Sequence, residues 1–110
     1  MNIIKIYPDV KPYDCSKWKV IIQIGDDKFI RRGRSYVNYI NTNLFTILIA
    51  LKHNNLEINL NDYEIQIYTI KEIVDVLKGK SIDILDFDNL SLFEEVFKYA
   101  SKYKAKLFVI

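Results

Sequence analysis

The sequence has few of the residues that build several common kinds of functional site. It contains one cysteine, Cys15, and one histidine, His53. A single cysteine excludes a disulfide within the chain and argues against a cysteine-based metal site. A nucleophilic Cys15 would have only His53 as its base, and three glycines are too few for a phosphate-binding loop or a dinucleotide fingerprint. We therefore expect no cofactor and no bound metal.

Long apolar runs are missing as well. The longest, residues 44–51, is far too short to cross a bilayer, and the first residues lack the features of a signal peptide. Only five residues are proline or glycine, so no flexible linker divides the 110 residues. The sequence predicts a single domain over residues 1–110 that is soluble and cytoplasmic and has no membrane partner.

Neither sign of charge dominates. Sixteen Lys and Arg residues against fourteen Asp and Glu residues give a net charge of +2, too close to neutral to indicate nucleic-acid binding by itself. The first 36 residues nevertheless carry eight cations and four acids. Ile, Lys and Asn make up 40 of the 110 residues, a bias that we interpret as an A/T-rich genome, such as that of a virus or mobile element.

Alternating apolar residues predict five strands. The first covers residues 3–7 and ends at Pro8, because proline suits the end of a strand better than its middle. Residues 18–24 and 28–36 form a hairpin around Gly25, and residues 63–69 and 105–110 supply the last two strands.

Apolar residues at helical spacing predict three helices. The first contains residues 44–51, with residues 41–43 as candidate caps. Thr69 and Glu72 have capping-box spacing before a short helix that Gly79 ends. Ser91 and Glu94 have the same spacing and open the third helix. The resulting order is β-β-β-α-β-α-α-β, which indicates a mixed α/β domain.

This order resembles the ribonuclease H fold, and short segments resemble that family locally. They are residues 6–9 (IYPD), 41–51 (NTNLFTILIAL), 65–69 (IQIYT) with 73–74 (IV), 92–95 (LFEE) and 106–109 (KLFV). The resemblance covers nearly the whole chain. It implies a five-stranded mixed sheet of order 3-2-1-4-5 with helices on one face. The family has a further helix after the fifth strand; because the sequence stops at Ile110, we expect that helix to be absent here.

The resemblance also locates the positions where the family holds two metal ions with four carboxylates and cleaves the RNA strand of RNA–DNA hybrids. Asp9 stands at the first position. Asn43 replaces the helix glutamate, Ile70 replaces the next aspartate, and the fourth position lies beyond Ile110. Because hard divalent cations need several oxygen ligands, one carboxylate cannot hold two metals. The sequence therefore predicts an inactive member of the family, with a nuclease as the least favoured alternative.

A basic run on the third strand is the one sequence feature that indicates nucleic-acid binding. Strand alternation places Lys28, Arg32 and Arg34 on one side of this strand and Arg31 on the other. Three cations on an edge strand suit contact with phosphates. Charges on an edge strand are equally a common protection against aggregation.

The face of the sheet opposite the helices is predicted to be uncovered. It carries six apolar or aromatic and six polar residues. Five of the six apolar or aromatic residues, Tyr7, Ile21, Tyr68, Phe108 and Ile110, are the candidate interface. The leading hypothesis is a binding module that contacts a protein, including a second copy of itself, through this face. The alternative is a nucleic-acid-binding protein that uses Lys28, Arg31, Arg32 and Arg34.

Overall fold

A computed structural model of the chain describes residues 2–35, 38–80, 82–85 and 87–110. The strands are β1 (Asn2–Lys11), β2 (Asp14–Ile24), β3 (Asp27–Arg34), β4 (Tyr63–Thr69) and β5 (Lys106–Val109), and the helices are α1 (Tyr39–Lys52), α2 (Lys71–Leu77) and α3 (Phe87–Lys102). Two single-turn 3₁₀ helices, Leu60–Asp62 and Ile82–Ile84, precede β4 and α3. The element order agrees with the prediction.

The five strands form one mixed sheet of order β3-β2-β1-β4-β5. The β1–β2 and β2–β3 pairs are antiparallel, whereas β1–β4 and β4–β5 are parallel. The predicted strand order is confirmed, and the architecture is compatible with a ribonuclease H-like fold.

The core lies between one face of the sheet and the helices. Helix α1 packs on β1 and β2, α3 packs on α1, and α2 contacts α1 and β5. The buried sheet residues alternate along their strands, as the sequence predicted: Ile4, Ile6, Val20, Ile22, Ile65 and Ile67. The opposite face, which we call the open face, is covered by none of the described helices.

Strand β1 continues past Pro8 to Lys11, so the predicted end at residue 7 is wrong. Strand β4 pairs with β1 only as far as Ile6. At Pro8 the β4 side of β1 is therefore unpaired, and the missing proline N–H removes no hydrogen bond to β4. The predicted end of β3 at Tyr36 lies outside the described residues.

The predicted helix starts are also wrong. Asn38 caps α1 by accepting a hydrogen bond from the backbone N–H of Asn41 at 2.8 Å, so residues 41–43 lie inside the helix. Helix α2 has no side-chain cap, because Thr69 ends β4 and its hydroxyl is buried without a partner among the described residues. Helix α3 begins at Phe87, which places Ser91 in its second turn. Gly79 ends α2 with φ of 80°, as predicted.

Candidate functional site

The open face carries a row of uncharged side chains at one level across all five strands. Register places Ile21 opposite Tyr7 on one side and opposite Ile30 on the other. The rings of Tyr7 and Tyr68, and those of Tyr68 and Phe108, stack with centroids 4.9 Å apart and planes within 18° of parallel. We call Ile30, Ile21, Tyr7, Tyr68 and Phe108 the apolar row. Four of these residues were candidates from the sequence; Ile30, which is 46% exposed, was missed.

Stacking determines which part of each ring reaches the solvent. Tyr68 has Tyr7 on one ring face and Phe108 on the other. Its hydroxyl donates a hydrogen bond to Oε1 of Gln66 at 2.7 Å, and Gln66 Nε2 donates to Oε2 of Glu64 at 2.6 Å. Tyr68 is thus fixed in place and presents a ring edge, not a ring face, to the solvent.

Ile110, the remaining interface candidate, lies directly after β5. Its backbone N–H donates to the carbonyl oxygen of Thr69 at 3.0 Å, and the side chain is largely exposed. It lines an open cavity of about 470 Å³ together with Tyr7, Ile21 and Lys28. The structure therefore brings Ile110 beside the Ile21 and Tyr7 part of the apolar row.

The charged side chains around the apolar row are mostly positive. Among the paired residues of the five strands, the open face carries eight cations and three acids. The cations are Lys5, Lys11, Lys17, Lys19, Lys28, Arg32, Arg34 and Lys106, and the acids are Asp9, Asp14 and Glu64. Because the whole chain has a net charge of only +2, the rest of the molecule is on balance negative.

Ion pairs engage three of these eight cations. Lys11 Nζ and Lys19 Nζ lie 3.1 and 3.4 Å from the two carboxylate oxygens of Asp9. Lys106 Nζ lies 2.8 Å from Oε1 of Glu64. The remaining five cations form no ion pair with a described residue: Lys5, Lys17, Lys28, Arg32 and Arg34. The positive charge without a partner is therefore concentrated toward β2 and β3.

Two pairs of cations lie directly opposite each other on β2 and β3. Lys17 pairs with Arg34, and Lys19 pairs with Arg32. Like charges at opposite positions destabilise a sheet. Asp9 offsets the repulsion at Lys19. No described acid forms an ion pair with Lys17 or Arg34, but Asp14 lies near both: the hydrogen bond from Ser16 and, to a smaller extent, the positive charges of Lys17 and Arg34 lower the pKa of its carboxyl. A bound anion would further relieve the repulsion.

An open cleft of about 550 Å³ lies at the corner of the sheet where these cations meet the β1–β2 turn. We call it the corner cleft. Its lining consists of five cations, two acids and three other residues: Lys11, Lys17, Lys19, Arg32 and Arg34, Asp9 and Asp14, and Tyr13, Trp18 and Gly33. Tyr13 is 84% exposed. The sequence did not single out Tyr13, Lys17 or Lys19 as functional residues.

Asp9, the position where the ribonuclease H resemblance expects a metal ligand, is a member of an ion-pair network in this structure. Partial burial by itself would raise the pKa of its carboxyl. The hydrogen bonds and positive charges of Lys11 and Lys19 outweigh that effect and lower the pKa below its ordinary value of 3.8. The carboxylate is therefore charged at neutral pH and is already balanced by two lysines.

The three positions compared with the family's ligands are not brought together. Asp9 projects from the open face, whereas Asn43 is buried on α1, and its Nδ2 donates to the carbonyl oxygen of Tyr39 at 2.9 Å. Ile70 precedes α2 as its N-cap. In the described parts of the chain, no three His, Cys, Asp or Glu side chains form a cluster that could hold a metal ion.

Arg31 differs from the other three basic candidates on β3. It lies opposite Val20 on the helix side of the sheet, and its Nη1 donates a hydrogen bond to the carbonyl oxygen of His53 at 2.7 Å. Lys28, Arg32 and Arg34 lie opposite Gln23, Lys19 and Lys17 on the open face. The structure thus places three of the four candidates on one surface and uses Arg31 to hold the end of α1.

The search for membrane-spanning helices and the comparison with known proteins both gave negative results. Among the described residues, no helix has both the length and the apolar character needed to cross a membrane. Comparison with known proteins assigns no family, because no protein-family model matches the chain and no curated protein does so either.

Proposed function

We propose that this chain is a binding module with a ribonuclease H-like fold, inactive as a nuclease, whose open face contacts the phosphates of a nucleic acid. Its family membership and its cytoplasmic location are parts of the same proposal. The fold order supports the first part, and the charge distribution on the open face supports the binding activity.

The observation that carries the proposal is the group of open-face cations without ion pairs. Lys17, Arg32 and Arg34 are neighbours across β2 and β3, and Lys5 and Lys28 extend the positive surface along the sheet. Arginine donates to phosphate oxygens in a fixed, often bidentate geometry, and such contacts dominate nucleic-acid affinity. The alternative role of these charges, protection of the β3 edge, does not account for Lys5, Lys17 and Lys19, which lie on interior strands.

Binding is tested by fluorescence anisotropy with a labelled 12-nucleotide oligothymidylate. If about three phosphates are contacted, raising the salt from 50 to 200 mM should weaken binding about twentyfold. The double variant Arg32→Gln/Arg34→Gln should weaken binding and reduce the salt dependence. The matched control is Lys78→Gln/Lys80→Gln, which removes two charges from exposed positions at the end of α2. Equal losses in the two double variants would contradict a specific role for the open face.

Absence of nuclease activity is tested separately. With Asn43 and Ile70 at two ligand positions, we expect no hydrolysis of an RNA–DNA hybrid in magnesium or manganese. Purified protein is incubated with the labelled hybrid, and a chelator control identifies metal-dependent cleavage. Turnover that the chelator abolishes and that Asp9→Ala removes would show that the chain is an enzyme.

Protein binding through the open face, including a homodimer, is the second candidate function. The apolar row favours it, because uncharged and aromatic side chains at the centre of a patch are typical of interfaces. Two copies facing each other would also bring their cations together. Self-association through this face should therefore strengthen with salt, whereas nucleic-acid binding should weaken.

A further inference from the structure

We propose that the corner cleft binds one nucleotide unit of a single-stranded nucleic acid, with its phosphate on Arg32 and Arg34 and its base against the ring of Tyr13. This inference rests on the proposed function and specifies it: it names a position on the open face and an unpaired strand as the ligand.

The apolar row offers a base little ring surface to stack on. Both faces of the Tyr68 ring are covered, and Tyr7 is covered on the side of Tyr68. Phe108 has an outer face at the sheet edge, but the nearby cation Lys106 is already paired with Glu64. Recognition of single strands combines aromatic ring faces with cations that track the backbone. The two features are therefore not combined at the row.

Tyr13 provides that combination. It lies in the turn between β1 and β2, it is 84% exposed, and it lines the same cleft as Arg32 and Arg34. None of the described aromatic residues stacks on it. A tyrosine this exposed contributes little to the core, so its ring is available to a ligand.

The cations of the cleft are positioned by the sheet. Arg32 and Arg34 are two residues apart on β3 and therefore project to the same side. Between them, Gly33 allows the buried indole of Trp18 to lie against the β3 backbone: a Cβ at residue 33 would lie 2.6 Å from Cζ2 of Trp18. This packing fixes the backbone that carries both arginines. A cleft of about 550 Å³ is within the size range of small-ligand sites.

Two labelled probes separate base contacts from phosphate contacts: a 12-nucleotide oligothymidylate and an abasic 12-mer with the same phosphates. We expect Tyr13→Ala to weaken oligothymidylate binding at least about fivefold while changing abasic binding less than twofold. Tyr13→Phe restores the ring and should recover the lost affinity. Arg34→Gln should weaken the binding of both probes. Unchanged thermal unfolding of Tyr13→Ala shows that the loss is not a folding defect.

Three results would overturn this inference. In the first, Tyr13→Ala weakens the binding of both probes equally, or of neither, while Arg32→Gln/Arg34→Gln still weakens the binding of both. The phosphate contacts would then be supported and the base contact would not. A 12-base-pair duplex bound more tightly than the single strand, with Tyr13→Ala neutral, would assign the cleft to duplex phosphates. If the unmodified protein binds no probe at 50 mM salt, the proposed function itself fails.

Discussion

Nη1 of Arg31 donates a hydrogen bond to the carbonyl oxygen of His53 at 2.7 Å, and this contact joins the edge strand β3 to the C-terminal end of α1. The positive guanidinium lies where the backbone carbonyls of a helix end are unpaired, which is the favourable end for a cation. Its neighbour Arg32 lies on the opposite face beside Lys19 and forms no ion pair with a described residue. These adjacent arginines therefore have different surroundings.

Arg31→Gln is expected to change stability and Arg32→Gln to change binding. Loss of the charged donor to the exposed His53 carbonyl should lower the free energy of unfolding by about 0.5–1 kcal/mol in Arg31→Gln. Arg32→Gln should change it by less than about 0.5 kcal/mol. Urea unfolding and oligothymidylate anisotropy measure the two properties. If Arg31→Gln weakens binding as much as Arg32→Gln, the separation of the two faces is not functional.

Gly33→Ala should be destabilising because of the contact with Trp18. The added methyl group would lie 2.6 Å from Cζ2 and 2.8 Å from Cε2 of the indole, and the indole is 8% exposed and has little space to move. Overpacking of this kind costs about 1–3 kcal/mol. Urea unfolding measures it.

Trp18→Leu provides the second half of a double-mutant cycle. Alone it should be destabilising, since it leaves a cavity beside Phe45, whose ring centroid is 5.6 Å from that of Trp18. Combined with Gly33→Ala it should cost less than the sum of the two single changes. Additive free energies would mean that the indole does not restrict residue 33.

Asp9→Asn should reduce the acid sensitivity of the fold. The lysine contacts lower the pKa of Asp9 in the folded protein below its ordinary value of 3.8. A carboxyl of this kind stabilises the fold above its unfolded pKa, and the contribution disappears as the pH falls through the folded pKa. The stability difference between wild type and Asp9→Asn should therefore be present at pH 7 and shrink below about pH 4.

Urea unfolding at a series of pH values measures this difference, with Asp26→Asn in the exposed β2–β3 turn as the control. Asp9→Asn also leaves Lys11 and Lys19 without their carboxylate, so it should bind oligothymidylate more tightly than wild type. A stability difference that is constant from pH 7 to pH 2 would show that the ion pairs contribute nothing.

The second candidate function makes a prediction for Phe108→Glu. If the open face self-associates, the weight-average mass should rise with protein concentration and rise further between 50 and 500 mM salt, because salt screens the facing cations. Phe108 is 38% exposed, so burial of its remaining surface contributes about 1 kcal/mol per copy, and a symmetric contact uses it twice. Phe108→Glu should then remain monomeric in sedimentation runs. A wild type that is monomeric at every salt concentration would exclude the homodimer.

The sheet was predictable because its alternation is strong. Residues 63–69 were predicted as a strand and form β4 with the same ends, since Ile65 and Ile67 point into the core between polar neighbours. The order of elements allowed few arrangements of the sheet, and the predicted strand order is the one observed.

Helix starts were harder to predict, because several residues near each start are equally good caps. Asn38, Asn41 and Asn43 have the same side chain, and in the structure it is Asn38 that accepts the hydrogen bond from the N–H of Asn41. Thr69 has capping-box spacing to Glu72, but burial at the end of β4 turns its hydroxyl inward. Tertiary packing determines which of these residues caps the helix, and the spacing of residues in the sequence carries no information about that packing.

The candidate site was predictable only in part. Alternation along a strand shows which side chains share a face of the sheet, but it does not show which residues of the next strand lie beside them. It placed Arg32 and Arg34 on one side of β3 without showing that Lys17 and Lys19 lie opposite them. The same register brings Ile30 beside Ile21 and completes the apolar row. Summing charges over the open face of all strands together would have revealed the positive surface.

The short length of β5 has a consequence for local unfolding. Four residues pair this strand to β4, and the stacking of Phe108 on Tyr68 adds a side-chain contact on the open face. Detachment of β5 would break that stack and expose the Tyr68 ring. A ligand held on the apolar row therefore opposes the detachment, and its binding free energy is added to the cost of opening β5. Hydrogen exchange at the β5 amides should therefore be slower when a ligand is bound to the apolar row than when the row is empty.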